Sequence, residues 1–426
     1  MEVVPFILML AAIAILPMVV GEWWDKNKNK LIVSLVLGLP IAVFLLVSNQ
    51  TEVLIHSVVF DYIPFIILLG SLFVITGGIF IDADFEATPL VNLSILAVGG
   101  VLASFMGTTG AAMLLIRLLL HTNKQRERKT HTVLFFIAIV ANCGGLLTPL
   151  GDPPLFMMYL RGVDFFWFFN LFRPWIFVNG MLLIVYYLFD SYHWKRETLE
   201  ARAKDIARQK PLVIHGKLNF VWLLVVILSV AFVNPNVFPI MNEIPVLTFL
   251  RDMFCLLAAI LSLKTTSRKV REENNFNWSP IVEVAFLFLG IFLTMGPVIE
   301  LLQSNADKIN MSSPHTFYYI TGALSSVLDN TPTAVTFYSL AKGMFAGNAA
   351  AGMEMVAGIP FLVMEAICLG AVFFGSITYI GNGPNFMVKA IAEQNGIKMP
   401  QFFQYMIKFS LIIILPILIL AQILFI

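Results

Sequence analysis

Two aspartates interrupt stretches of this chain that are otherwise built to avoid water. Asp152 lies in Leu147-Thr148-Pro149-Leu150-Gly151-Asp152-Pro153-Pro154. Asp329 lies in Ser325-Ser326-Val327-Leu328-Asp329-Asn330-Thr331-Pro332-Thr333. Each brings a carboxylate, hydroxyls and, in the second case, an amide into an apolar run. At membrane depth such groups need an internal partner, a cavity or a ligand. Their oxygens are hard donors of the kind that hold an alkali cation. A carboxylate can hold a proton instead, and that competition is the simplest physical basis for cation/proton exchange. The competing explanation is local: Asp before proline often caps a helix or starts a turn. Capping competes more closely at Asp152, whereas Asn330 and Thr331 strengthen the ligand reading at Asp329.

Two further breaks carry matching chemistry. Gly107-Thr108-Thr109-Gly110 offers hydroxyls at a glycine turn, and Gly381-Asn382-Gly383-Pro384-Asn385 offers amides beside a proline. Glycine lets the backbone turn tightly and proline stops the helical hydrogen-bond ladder. The freed carbonyls suit cations and the freed N–H groups suit anions. Together with Asn142 and Thr148 on the approach to the first break, the candidate ligands are Thr108, Thr109, Asn142, Thr148, Asp152, Asp329, Asn330, Thr331, Asn382 and Asn385. Of these, Asp152, Asp329 and Asn330 are the candidate sodium ligands. Glu365, about ten residues into an apolar helix, is a candidate proton carrier or a protonated packing residue. Glu283 and Glu300 lie nearer helix ends and read as snorkelling acids, as does Arg117 among the cations. His131 reads as interfacial. The three cysteines, Cys143, Cys255 and Cys368, sit in apolar segments and form neither a disulfide frame nor a metal site.

The elements that hold these residues follow from composition. The 426 residues are 59% hydrophobic and 12% charged, with mean hydropathy +0.86. A soluble domain carries about twice that charge fraction, so the pattern is that of an all-α polytopic membrane protein. Basic residues sit in short loops between apolar runs, which argues against nucleic-acid binding. The first apolar run, from Val3 to Val20, lacks a cationic leader and reads as a spanning helix. Further runs fall near 31–48, 62–82, 165–190, 218–234, 245–263, 281–302 and 403–426. Runs 132–160 and 355–390 are too long and are broken by Gly and Pro. Stretches 91–120 and 315–343 are too long for one span and too short for two, so they read as re-entrant hairpins.

Loop charge orients this layout. The linker 191–217 holds Lys195, Arg196, Arg202, Lys204, Arg208, Lys210 and Lys217. If it is cytoplasmic, the other cation-rich loops fall inside as well, and both termini lie outside, in the periplasm. An internal repeat supports the hairpins. Gly100 to Ala112 resembles Gly322 to Ala334, and Leu147 to Phe156 resembles Ile377 to Phe386, in the same order. Five crossings separate equivalent helices, so the halves are inverted, which is the architecture of secondary transporters. Residues 1–190 form the first repeat (hairpin 91–120, broken helix 132–160). Residues 218–426 form the second (hairpin 315–343, broken helix 355–390).

With these motifs in view, the chain from about residue 60 onward resembles the ion transporter superfamily. That group includes D-type sodium/proton antiporters, arsenite-efflux permeases and citrate-type transporters. The resemblance implies a homodimer in a bacterial inner membrane and an elevator mechanism, in which a scaffold stays fixed while hairpin tips and broken helices cross. In the carboxylate symporters of the group both tips carry Ser-Asn-Thr. Here the second tip, Asp329-Asn330-Thr331, has Asp for Ser, and the first keeps only threonine. An added carboxylate opposes a dicarboxylate, which favours the antiporters. The Gly-Ala-Ala after the first tip is similar to the arsenite-efflux type.

Two functions therefore stand. One is a sodium/proton antiporter with Asp152 and Asp329 sharing cation and proton. The other is a sodium- or proton-coupled transporter of citrate, a dicarboxylate or another anion, bound by Thr108, Thr109, Asn330 and Thr331. No cofactor is expected beyond sodium as substrate or coupling ion. The Gly-Asp break loosely resembles that of aspartyl intramembrane proteases, but no second aspartate stands in a matching motif and the repeat points away from an enzyme.

Overall fold

In the computed structural model the structure describes residues 2–207, 209–309, 311, 313–346 and 354–426; Arg208 of the linker lies outside them. The longer helices are α1 (Val4–Val19), α2 (Asn27–Val47), α3 (Thr51–Thr76), α4 (Pro89–Met106), α5 (Thr108–Thr122), α6 (Thr130–Ile139), α7 (Pro153–Leu160), α8 (Phe172–Trp194) and α9 (Leu199–Ile206). They continue as α10 (Leu218–Phe232), α11 (Phe249–Thr265), α12 (Ser279–Ser304), α13 (Pro314–Ser325), α14 (Asn330–Phe345), α15 (Phe361–Phe374), α16 (Gly383–Gln394) and α17 (Phe402–Phe425). Among the described residues eight helical segments are long and apolar enough to cross a membrane. The chain is a predominantly helical multi-pass membrane protein.

Apolar faces decide which helices lie central. Of the segment Thr130–Leu147, 94% is buried, against 33% of Asn27–Val47 and 33% of Pro245–Thr265. The first is therefore wrapped by protein, while the latter two keep most of their surface for lipid. Helix α2 packs on α12, α11 on α3 and α13 on α15. A single buried cluster runs through both halves and includes Phe136, Phe156, Phe292 and Phe373.

Both expected hairpins are helix pairs. The first is α4 and α5, joined at Gly107, whose φ of +81° is open to glycine at little cost. The second is α13 and α14, joined through residues 326–329. Helix α4 is longer than anticipated, with 18 residues spanning about 27 Å. It starts early because Thr88 accepts a hydrogen bond from the Val91 N–H (3.3 Å) and Pro89 takes the first turn. Both expected breaks are present as well. Helix α6 gives way to a 3₁₀ turn at Cys143–Leu147 before α7, and residues 375–382 separate α15 from α16.

Other boundaries depart from expectation. The run 62–82 ends as helix at Thr76, and Phe80–Asp84 forms strand β1. The linker 191–217 is not wholly a loop: α8 runs to Trp194, α9 follows, and Lys210–His215 forms strand β2. β1 and β2 pair antiparallel, Phe80 opposite His215 and Asp82 opposite Val213. The β-branched pair in Lys-Pro-Leu-Val-Ile-His favours a strand once a partner edge exists, which hydropathy does not reveal. The run 355–390 begins with a small ribbon, Met355–Val356 against Ile359–Pro360, and is helical only from Phe361.

The linker also clamps the base of the first hairpin. Asp205 accepts from the Ala87 N–H (2.7 Å), and Glu197 accepts from the N–H groups of Glu127 (3.2 Å) and Arg128 (3.0 Å). Beneath it Asp190 meets Arg126 (2.8 Å) and His131 (2.7 Å), and the side chains of Asn92 and Asn123 bond each other. His131 is thus a buried partner of an acid.

Candidate functional site

The two breaks are shaped by the same local rule. Asp152 precedes Pro153, and Asn382 stands two residues before Pro384. Each is the N-cap of a short second half-helix, with extended dihedrals of −143°, 141° and −149°, 140°. Pro in the first turn suits a helix start at both places, and Asp152, directly before Pro153, is also driven extended. The hairpin tips share a rule too. Gly107 and Asp329 occupy the N-cap positions of the returning arms, and Thr108 and Asn330 are the first residues of those arms.

Side chains from all four places meet at one carboxylate. Asp152 is 1% exposed. Its Oδ1 accepts from Thr108 Oγ1 (3.0 Å) and Asn382 Nδ2 (3.1 Å), and its Oδ2 accepts from Asn330 Nδ2 (2.6 Å). One donor comes from the first tip, one from the second tip and one from the second break. Hydrogen bonds to a buried charge are the strong ones. None of the three donors is cationic, so the carboxylate has hydrogen bonds but no counter-charge among them.

Tips and breaks are tied by a repeated pair of contacts. Thr148 Oγ1 donates to the Ser104 carbonyl, and Thr378 Oγ1 donates to the Ser326 carbonyl (2.5 Å). Each threonine oxygen also accepts from the backbone two residues on, Leu150 N (3.2 Å) and Ile380 N (3.1 Å). A Cβ on Gly151 would overlap the Gly145 carbonyl, and one on Gly381 would lie 2.7 Å from the Gly375 carbonyl. Both breaks therefore fold back tightly on themselves, and the first is anchored by Thr108 N–H to the Gly151 carbonyl (2.8 Å).

The remaining candidates divide into groups. Asn142 and Asn385 meet directly, Asn142 Nδ2 donating to Asn385 Oδ1 (2.6 Å) and to the Ile137 carbonyl (2.8 Å). Asn385 Nδ2 in turn donates to the carbonyls of Gly375 (2.8 Å) and Thr378 (2.9 Å). These two amides bind the breaks together, and Asn142 Oδ1 is buried without a hydrogen-bond partner among the described residues. Thr331 donates to Asn330 Oδ1 (3.3 Å), orienting the amide that reaches Asp152. Asp329 turns the other way and accepts from the Thr331 N–H (2.9 Å), the geometry of a helix cap. Thr109 is half-buried beside the first tip. Glu365 lies on α15 with 6% exposure, outside the Asp152 cluster.

Two residues outside every motif satisfy the first break. Trp175 Nε1 donates to the Gly144 carbonyl (3.0 Å), and Asn179 Nδ2 donates to the Cys143 carbonyl (3.1 Å). Their signal is a pair of polar atoms one helical turn apart in the apolar run of α8. Arg161 also lies outside every motif and forms a two-pronged pair with Asp61 (3.2 and 3.1 Å).

One carboxylate among hydroxyl and amide groups fits an alkali cation or a proton. Among the described residues no cluster of three or more His, Cys, Asp or Glu side chains has the arrangement of a metal site. For an alkali cation, Asp152 would supply charge, while Thr108 and the amides of Asn330 and Asn382, turned oxygen-first, would complete an oxygen shell.

A family model named CitMHS_2, described as "Putative citrate transport", matches residues 1–426. An uncharacterized transporter from Synechocystis sp. is 23% identical over 338 residues, covering 74% of this chain and 73% of that protein.

Proposed function

The chain belongs to the CitMHS_2 family, secondary transporters of the citrate and ion permease type, and we propose that within that class it exchanges sodium for protons at Asp152. The observation that carries this reading is the set of three neutral donors, drawn from both halves, that converge on a buried acid without a cationic partner. A bare carboxylate is expensive to carry through a lipid-facing core. Loading it with either a cation or a proton removes the charge. The loaded forms cross and the empty ionised form does not, so passage of one ion requires return of the other.

The matched contacts of Thr148 and Thr378, and the matched N-caps Asp152 and Asn382, support an inverted repeat with paired hairpins and broken helices. In this reading the tips and breaks move as one body, in the elevator manner, relative to the helices outside them. The chain works as a homodimer in a bacterial inner membrane with both termini outside. Glu365 is the second protonatable group on the path. The cation set then comprises Asp152 with Thr108, Asn330 and Asn382, while Asn142, Thr148 and Asn385 shape the breaks and Asp329 with Thr331 shapes the second tip.

A second reading is cation-coupled transport of citrate or another carboxylate, favoured by the family match. Asp152 would then hold the coupling ion, and Thr108, Thr109, Asn330 and Thr331 at the tips would meet the anion.

One assay separates the two. The protein is reconstituted in vesicles containing a pH dye, and sodium, lithium, potassium or citrate is added outside. Sodium-driven proton movement that vanishes in Asp152→Asn supports exchange. Citrate-dependent sodium uptake without sodium-driven proton movement overturns it in favour of the second reading.

A further inference from the structure

The pair Asp61–Arg161 stands apart from the other buried ion pairs. Arg126–Asp190 ties the base of the first hairpin to α8, Lys30–Glu283 joins two outer helices with Glu283 partly exposed, and Arg251–Asp252 is formed by neighbours in one helix. Asp61–Arg161 joins α3 to the end of α7, the half-helix whose other end is Asp152. It ties the half-helix that begins at Asp152 to a helix that supplies neither a tip nor a break.

We propose that Asp61–Arg161 is a releasable tie between the body that carries Asp152 and helix α3, and that it opens in each transport cycle. This rests on the reading that tips and breaks move relative to the outer helices. Three features support a tie that opens rather than a permanent brace.

First, α7 is a rigid rod of eight residues, so Arg161 reports the position of Asp152 about 13 Å away. Second, Asp61 sits in a π-helical stretch, His56–Tyr62, within α3. Such a stretch weakens the regular ladder and is common at sites that move or bind. Third, the pair borders a cavity of about 790 Å³, so water can reach both ions as they separate. A sealed buried pair would leave two uncompensated charges on opening. Here the same cavity is lined by Glu52 and Glu300, carboxylates for a released Arg161, and by Lys342, a cation for a released Asp61. His56 already stands 3.6 Å from Asp61.

The test uses the full-length protein in vesicles with Gln303, on the cavity wall, replaced by cysteine as a labelling reporter; the three native cysteines are buried. Flux and maleimide labelling are measured with and without sodium, and with and without citrate, for the intact pair, Asp61→Asn, Arg161→Gln and the exchanged double Asp61→Arg/Arg161→Asp. Each single variant is expected to slow saturated transport by roughly tenfold with apparent ion affinity changed less than about twofold, and to shift the labelling rate. The exchanged double is expected to recover most of both, which a variant that merely misfolds would not do. If labelling in the intact protein responds to neither sodium nor citrate, the moving-body reading fails and the tie with it. If labelling responds but the single variants label and transport like the parent, the tie alone is wrong. A double variant as slow as the singles also overturns it.

Discussion

The two halves of this molecule reach the same centre with opposite chemistry. In the first half the hairpin tip is Gly107 and the break carries the acid, Asp152. In the second half the tip carries the acid, Asp329, and the break carries the amide, Asn382. Asp152 gathers Thr108, Asn330 and Asn382, whereas Asp329 caps its own helix through the Thr331 N–H. A two-fold arrangement with an acid at both breaks would set two buried carboxylates against each other. Dividing the acids between break and tip gives Asp329 a helix cap of its own while Asp152 gathers the donors. In the proposed exchange, two matched breaks would thus hold a single cation on an asymmetric site.

That contrast can be broken or sharpened by substitution. The largest expected effect is at its centre. Asp152→Asn removes the charge on which the three donors converge and should reduce sodium-driven proton movement in vesicles by at least about 100-fold. Asp152→Glu, which keeps the charge and misplaces it, should retain part of the activity. Transport at parental rates in Asp152→Asn would end the comparison.

Next are the donors from the second half. Asn330→Ala or Asn382→Ala each removes an amide oxygen from the proposed cation shell, a contact to a charged group worth about 1.5–3 kcal/mol. Apparent sodium affinity should weaken by roughly tenfold or more. Asn330 should matter more, because its contact with Asp152 is the shorter. Isothermal titration with sodium or the sodium dependence of flux reads this out.

A smaller effect should be equal in both halves. Thr148→Val and Thr378→Val each remove the hydroxyl that ties a break to a tip. Each should cost about 1 kcal/mol of stability, read as a lower melting temperature in detergent. A large inequality between them would show that the two ties are not equivalent.

The smallest effect belongs to Asp329. Asparagine caps a helix about as well as aspartate, so Asp329→Asn should change stability by less than about 0.5 kcal/mol. Flux should stay within roughly twofold of the parent. A loss as great as that of Asp152→Asn would move the charged centre to the second tip.

Much of this arrangement is legible along the chain. Mean hydropathy and the spacing of apolar runs mark a polytopic membrane protein, because a spanning helix must expose apolar side chains along its length. Gly107, Pro153 and Pro384 mark the turns, because glycine and proline act on the backbone where they stand. The matching order of Thr148-Pro-Leu-Gly-Asp152 and Thr378-Tyr-Ile-Gly-Asn382 relates the two breaks without any coordinates. The strands are harder to read, since β2 needs β1 and neither carries a strong pattern alone.

The ranking of the two acids is where chain and packing part. By neighbours alone Asp329 is the stronger ligand, flanked by an asparagine and a threonine. In the folded molecule both acids are N-caps at the start of a helix, so their local rule is the same. What separates them is direction. Asp152 faces the opposite half, where Asn330 and Asn382 lie 178 and 230 residues away along the chain. Asp329 faces its own backbone two residues on. Apolar patterning and backbone breakers act over a few residues, so the sequence by itself determined the helices, the breaks and their repetition. A polar side chain takes whichever partner the packed helices bring within about 3 Å, so only the tertiary structure decided which carboxylate the two halves share.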